Sequence, residues 1–300
     1  MGVEQVVDLA DHHHRASHTQ DAYRWALLGA EAAGRAGGAT EMLRLLRRAL
    51  DLWPQVPDPG LSKIEARNVS TVAAVASELA DTVAAAFADG HDILVLGGDC
   101  TIELGTVAGA IRDGARVGLA YVDLDSDLNV PGTGEGALDW MGVAHLLDVA
   151  GAHETLTSLA GRRPMLDVEA VRLFAVENVT TFERSVIDRL GLHVEPLADV
   201  VDDPDAVAER TRAWAASYDR ILLHVDIDVL DYTKFPIAHE IRDSPGLELP
   251  QLARLLRDLH GLPNWSALTL SEVNPDHAPD ERDSFGRLIE MLGDVLGGSD

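Results

Sequence analysis

The sequence predicts an α/β fold in which a mostly parallel sheet is covered by helices on both faces. Three observations carry this. Short apolar runs recur at 93–96, 117–124, 171–176, 221–228 and 266–273, and each reads as a buried strand. Helical patterns alternate with them, which demands crossover connections and hence parallel pairing. No composition shift, linker or repeat of fixed period divides the 300 residues, so one domain is expected over the whole chain, with 1–65 as a divergent N-terminal part.

The first 65 residues are the least regular. RWALLGAEAAGRAGGATEMLRLLRRALDLW reads as helix with a Gly-rich break, and no first strand is visible there. After Asn68, residues Val72, Val75, Leu79 and Val83 recur at helical spacing, with Ser70 as a cap and Gly90 as a stop. The strand at 93–96 runs into a Gly97-Gly98 turn, 101–114 reads as helix, and VGLAYVDL at 117–124 is the next strand. VRLFAV at 171–176 is followed by a helix near 181–191, a short strand near 192–196 and a helix near 204–216. ILLHVDID at 221–228 is a long apolar strand, LPQLARLLRDLH at 249–260 an amphipathic helix, SALTLSEV at 266–273 a strand, and 281–297 a closing helix.

Composition bounds the partners. The chain carries 24 Lys and Arg against 50 Asp and Glu, a net charge of -26. That field repels phosphate backbones and anionic lipid, so nucleic acid and membrane surfaces are not expected partners; small cations and metal ions are. The only cysteine, Cys100, excludes an internal disulfide and suits a reducing cytoplasm. The N-terminus lacks the pattern of a signal peptide, and no uninterrupted apolar stretch has the length of a bilayer span. The run His12-His13-His14 reads as a solvated helix edge, because consecutive helical side chains diverge.

Ligands of open parallel sheets bind beyond the carboxyl ends of the strands. At that edge the sequence places Asp99 and Cys100, then Asp123, Asp125 and Asp127, then Asp226 and Asp228, and finally Glu272. If the chain stays extended, Asp123, Asp125 and Asp127 share one face, and Asp226 and Asp228 share another with His224. Convergent carboxylates cost several kcal/mol of repulsion even at an effective dielectric of about 20. Divalent cations relieve it, and hard oxygen donors select magnesium, calcium or manganese. So many acids suggest two ions, although one ion remains open. A single such pair is as often a helix cap or surface turn; two pairs and a GGD after three strands are harder to assign to chance.

These motifs resemble a known family. GGDC at 97–100, DLDSDLN at 123–129, DIDVLD at 226–231 and SEVNP at 271–275 match the ureohydrolases, the arginases and agmatinases, in order and spacing. The resemblance implies a three-layer α/β/α fold, a binuclear manganese cluster, hydrolysis of a carbon–nitrogen bond in a linear guanidino or amidino compound, and a homotrimer or homohexamer. It makes Asp123, Asp127, Asp226 and Asp228 metal ligands, Asn129 a substrate contact, and Glu272 the residue that holds the cationic guanidinium.

Departures from the family pattern are informative. Both imidazoles expected among the ligands are replaced, by Cys100 and Asp125. The expected proton-shuttling histidine falls where Trp140 or Met141 stands, and the acid that grips an α-amino group falls near Val179. Arginine itself is therefore not the expected substrate. Cys100 reads as an inert or weakly coordinating thiol, then as a strong ligand, and last as a nucleophile. Asp125 reads as a ligand that weakens the Lewis acidity of the centre. His224 is a candidate for proton transfer, but a strand-interior position reads more readily as a buried, hydrogen-bonded core histidine. Trp140 either packs or walls a pocket for a planar cation. Asp139, Glu183 and His239 are further proton-transfer candidates, more readily read as solvated loop residues or helix caps. The resulting expectation is a manganese hydrolase of a modified guanidine, with metal at Cys100, Asp123, Asp125, Asp127, Asp226 and Asp228 and with Asp125, Glu272 and His224 as catalytic groups. The alternative is a non-catalytic relative with a degenerate metal site.

Overall fold

The computed structural model describes residues 66–133, 136–277 and 281–297, all within the compact unit Lys63–Asp300. The helix-like N-terminal stretch and the His12–His14 run lie outside the described residues, and so does the expected joining of 1–65 to the rest. The strands are β1 (Ile93–Leu96), β2 (Val117–Val122), β3 (Val171–Val176), β4 (His193–Pro196), β5 (Arg220–Asp226) and β6 (Trp265–Ser271). They form one parallel sheet in the order β1-β6-β5-β2-β3-β4. β2 and β5 lie side by side, with Tyr121 opposite His224 and Val122 opposite Val225. Their outgoing connections run to opposite sides of the sheet, which makes the crevice between their carboxyl ends the topological switch point.

The helices are α1 (Val69–Ala88), α2 (Ile102–Ala110), α3 (Gly142–Leu146), α4 (Glu154–Thr157), α5 (Thr181–Leu190), α6 (Leu197–Asp202), α7 (Pro204–Ala215), α8 (Leu249–His260) and α9 (Glu281–Leu296). Two apolar layers, one on each face of the sheet, give the three-layer α/β/α architecture: Leu119, Tyr121 and Leu173 point into one, Ala120, Val122 and Phe174 into the other. This is the alternation that strand geometry imposes.

Helix α1 differs from its sequence reading. Its buried face is Ala76, Ala80 and Val83, Ser70 lies within the helix, and Asn68 takes the cap position with φ 56° and no side-chain cap. The reason is α2, where Gly105 and Gly109 bring the two backbones together. A Cβ at Gly109 would sit 2.6 Å from Ala80 O. α1 has the length and composition of a membrane span. It carries Glu78 and Asp81, and Asp81 pairs with Arg112 of the α2 segment.

Helix α5 starts at a capping box. Thr180 Oγ1 accepts from Glu183 N–H at 3.2 Å, and Glu183 Oε2 accepts from Thr180 N–H at 2.9 Å. It ends at Gly191, left-handed with φ 67°. The short helices α3, α4 and α6 have no counterpart among the sequence expectations.

Candidate metal centre

The acids converge by a route that strand alternation does not supply. β2 ends at Val122, and the chain turns at once: Asp125 N–H donates to Asp123 Oδ1 at 2.7 Å, and Asp127 has φ 50°. β5 ends at Asp226, where Ile227–Val229 forms a 3₁₀ turn and Asp228 N–H donates to Asp226 Oδ1 at 2.7 Å. The expected cofacial extended runs are therefore replaced by two matching turns. In each, an aspartate accepts the amide two residues on, a local bond that competes with strand extension. The first turn leaves Asp123 Oδ2 without a partner among the described residues, and the second leaves Asp226 Oδ2 to the Cys100 thiol.

Three donor groups result, each with ligand atoms within 4.8 Å of one another: Cys100, Asp123 and Asp127; Cys100, Asp226 and Glu272; and Asp123, Asp125 and Asp228. All six residues named as metal ligands belong to them, as does Glu272, and all but Asp125 are buried. Glu272 has φ 61° and anchors its N–H on Gly98 O at 2.8 Å, so it faces the crevice straight after β6.

Burial pushes the Asp123, Asp127, Asp226 and Glu272 carboxyls well above the usual carboxylate range, and the surrounding acids add to it. Asp228 rises to about 6 through burial, with Arg242 opposing. Cys100 is raised too, first by burial and then by Asp226, so its thiol keeps the proton and donates to Asp226 Oδ2 at 2.9 Å. That is the environment of an inert thiol, not of a free nucleophile. A bound divalent ion would reverse these shifts.

The donor set fits a hard divalent cation. Asp123 Oδ2 and Asp228 Oδ1 are buried and have no hydrogen-bond partner among the described residues. Orphan anionic oxygens at this depth cost free energy unless a cation or proton meets them.

The remaining candidates separate. His224 is fully buried in the adjacent core: its ring stacks on Tyr121 at 4.1 Å, Nδ1 lies 3.4 Å from Glu103 Oε2, and Nε2 lies 3.3 Å from Ser271 Oγ. With both nitrogens engaged, its reach toward the centre is indirect, through Ser271, whose Oγ is 3.3 Å from Cys100 Sγ. This geometry favours the core reading that the sequence already preferred. Asn129 is buried and accepts from Thr133 Oγ1 at 3.0 Å. Trp140 packs against the core with Nε1 unpartnered among the described residues. Asp139, expected in solvent, has a buried, unpartnered Oδ1, and burial beside Asp99 raises it to about 6. Glu183 is a cap as expected, but buried, and it also accepts from Ser126 Oγ at 2.9 Å and Leu128 N–H at 3.1 Å, fixing the 126–128 turn. His239 is exposed, its N–H bonded to Glu272 O at 2.7 Å.

Two contributors escaped the sequence reading. Tyr121 donates its hydroxyl to Asp127 Oδ2 from the strand beneath. Arg242 donates Nη2 to Asp125 Oδ2 and lies 3.3 Å from Asp228 Oδ2. Strand alternation from Asp123 points back at Tyr121 and offered a signal; nothing local marks Arg242.

Comparison with known proteins agrees with fold and motifs. The model of the arginase family matches residues 35–289. The arginase of Bacillus subtilis (strain 168) is 29% identical over 279 residues, covering 86% of this chain and 90% of its own length. The crystal structure of arginase from Bacillus cereus superposes with a TM-score of 0.73 at 26% identity, over 79% of this chain and 81% of that one. Formimidoylglutamase from Bacillus subtilis shares the fold, with a TM-score of 0.62 at 17% identity over 73% of this chain and 65% of that one. From the strand order, the four acidic motifs at the strand tips and the matched family model, the chain belongs to the arginase family.

Proposed function

We propose that this chain is a manganese-dependent hydrolase acting on a carbon–nitrogen bond of a small guanidino or amidino compound other than arginine. The observation that carries this is the convergence of Asp123, Asp125, Asp127, Asp226 and Asp228 with orphan oxygens at the switch point of an arginase-family sheet. These residues, with Cys100 alongside, would hold the metal. Divalent ions so held polarise water and carbonyl-like groups and lower the pKa of bound water.

The chain's own residues do the rest. Glu272 accepts the substrate's cationic end through a charge-assisted contact. Asp99 and Asp139 crowd that side and extend the negative field, which draws cations and repels anions. Tyr121 fixes the Asp127 carboxylate from below, and Glu183 fixes the turn that carries it. Ser271 links Cys100 to His224, which serves as a positioning residue rather than a proton shuttle. We place the protein in the cytoplasm, as a homo-oligomer.

The test is release of urea, substituted urea or ammonia from a panel of guanidines and amidines with added manganese. Turnover of at least one modified guanidine above arginine is expected. A silent panel on metal-loaded protein overturns the hydrolase reading. A second reading, a non-catalytic family member, is favoured by one observation: the thiol at Cys100 engages Asp226 and Arg242 engages Asp125, so part of the charge is met without metal. Fewer than one equivalent of manganese per chain after loading would select it.

A further inference from the structure

The acid cluster has a cation of its own. Arg242 lies on the segment between Asp231 and Gly246, whose ends are stitched together: Asp231 N–H donates to Leu247 O at 2.9 Å, and Leu247 N–H to Val229 O at 2.8 Å. Gly246 permits that closure, since a Cβ there would lie 2.5 Å from Asp231 N. The segment is thus a closed excursion in the manner of an Ω-loop. It turns Ile241, 67% exposed, to solvent and carries the Arg242 side chain, 26% exposed, over the strand tips. Solvation alone favours the opposite arrangement of an aliphatic and a charged neighbour.

There the guanidinium meets Asp125 and Asp228, two of the three members of one donor group. The third member, Asp123, is left with Oδ2 unpartnered, and Asp228 with Oδ1 unpartnered. The compensation is therefore partial and lopsided. The other two donor groups, built on Cys100 with Asp123 and Asp127 and with Asp226 and Glu272, have no arginine or lysine bonded to them among the described residues.

We propose that Arg242 is a tethered cation that stands in for one of two divalent ions, at Asp123, Asp125 and Asp228. The chain then holds a single tight ion on the Asp127 and Asp226 side, next to Cys100, and a second enters only when Arg242 is displaced. The proposal rests on reading the cluster as a metal centre. A guanidinium is planar with donors fixed in a fork, so it serves two carboxylates in its plane and leaves a third unmet. A metal ion on the same oxygens would face a positive charge a few ångströms away. The two cations are mutually exclusive.

The experiment is manganese titration of the full chain by calorimetry, with metal content measured after gel filtration, for the wild type, Arg242→Gln and Arg242→Lys. One tight equivalent is expected for the wild type and for Arg242→Lys, which keeps the charge, and two for Arg242→Gln. In chelator, Arg242→Gln melts below the wild type, and excess manganese closes the gap. Two tight equivalents in the wild type, or an unchanged single equivalent in Arg242→Gln, overturn the proposal while leaving the metal centre standing. Absence of metal uptake in all three proteins overturns both.

Discussion

Two buried carboxylate sites in this one sheet are handled in opposite ways. On β4, Glu195 is 2% exposed and saturated with partners: Arg210 Nη2 donates to Oε2 at 2.6 Å, Arg210 Nε to Oε1 at 3.1 Å, and His193 Nε2 lies 2.8 Å from Oε1. Burial works to raise its pKa, but Arg210 and His193 outweigh it, and the carboxyl falls below the usual range. At the tips of β2 and β5, in the middle of the sheet, Asp123 and Asp226 are equally shut off from solvent but lie deeper than Glu195 on its edge strand, and burial together with neighbouring acids drives them up. Both are closed to water, but the deeper aspartates carry the larger desolvation penalty and have no arginine or lysine bonded to them among the described residues. Glu195 is satisfied by the protein's own cations, whereas Asp123 keeps an unpartnered oxygen and Asp226 has only a thiol and a backbone amide.

The contrast can be broken most forcefully at Asp226. Asp226→Asn removes a donor of the proposed metal centre, and manganese affinity is expected to fall by more than about 100-fold, measured by calorimetry. Undiminished affinity would mean the tip aspartates resemble Glu195 after all. The next effect is in pH. His145 is buried and bonded only to backbone, Nδ1 to Met141 O at 2.6 Å and Nε2 accepting from His153 N–H at 3.1 Å. Burial lowers its pKa to about 4. A depressed histidine is stable as the neutral ring, so its contribution is complete above about 6.5 and is lost as pH falls toward 4. Over that window we expect a loss of roughly 3 kcal/mol relative to His145→Gln, read from urea denaturation at stepped pH.

Smaller effects sharpen the comparison. Glu195→Gln strands Arg172 and Arg210, and because Arg210 is 43% exposed the cost is expected to be about 2 kcal/mol, with manganese binding unchanged. A change in metal affinity would show that the two sites communicate. Gly109→Ala tests burial with no charge involved: the added methyl meets Ala80 O and Val83, offset in part by better helix propensity, for a net loss of about 1 kcal/mol in denaturant unfolding.

The legible parts of the site were those whose signal is local in sequence. The aspartate pairs at 123–127 and 226–228, Cys100 and Glu272 could be found because strands announce themselves by apolar runs and parallel sheets gather their carboxyl ends. The reason given for their convergence was incomplete. Extended alternation was expected, but aspartate competes for its own backbone, and two turns replace the last residues of the strands. Short helices such as α3 and α4 were invisible, since 4 or 5 residues are too few to show a period. The face of α1 was read only in part: Val83, Val72 and Leu79 do face the core, but the most closely packed positions are Ala76 and Ala80, because α2's glycines demand small partners.

By itself, then, the sequence determined the strand and helix alternation, the acidic edge, and membership in a family whose motifs it retains. Only the tertiary structure decided that His224 belongs to the core, that Glu183 braces a turn, and that Arg242 lies over the acids. The physical reason is range: periodicity and turn chemistry act over a few residues, while Arg242 meets Asp125 across 117 positions, a pairing that no local pattern encodes.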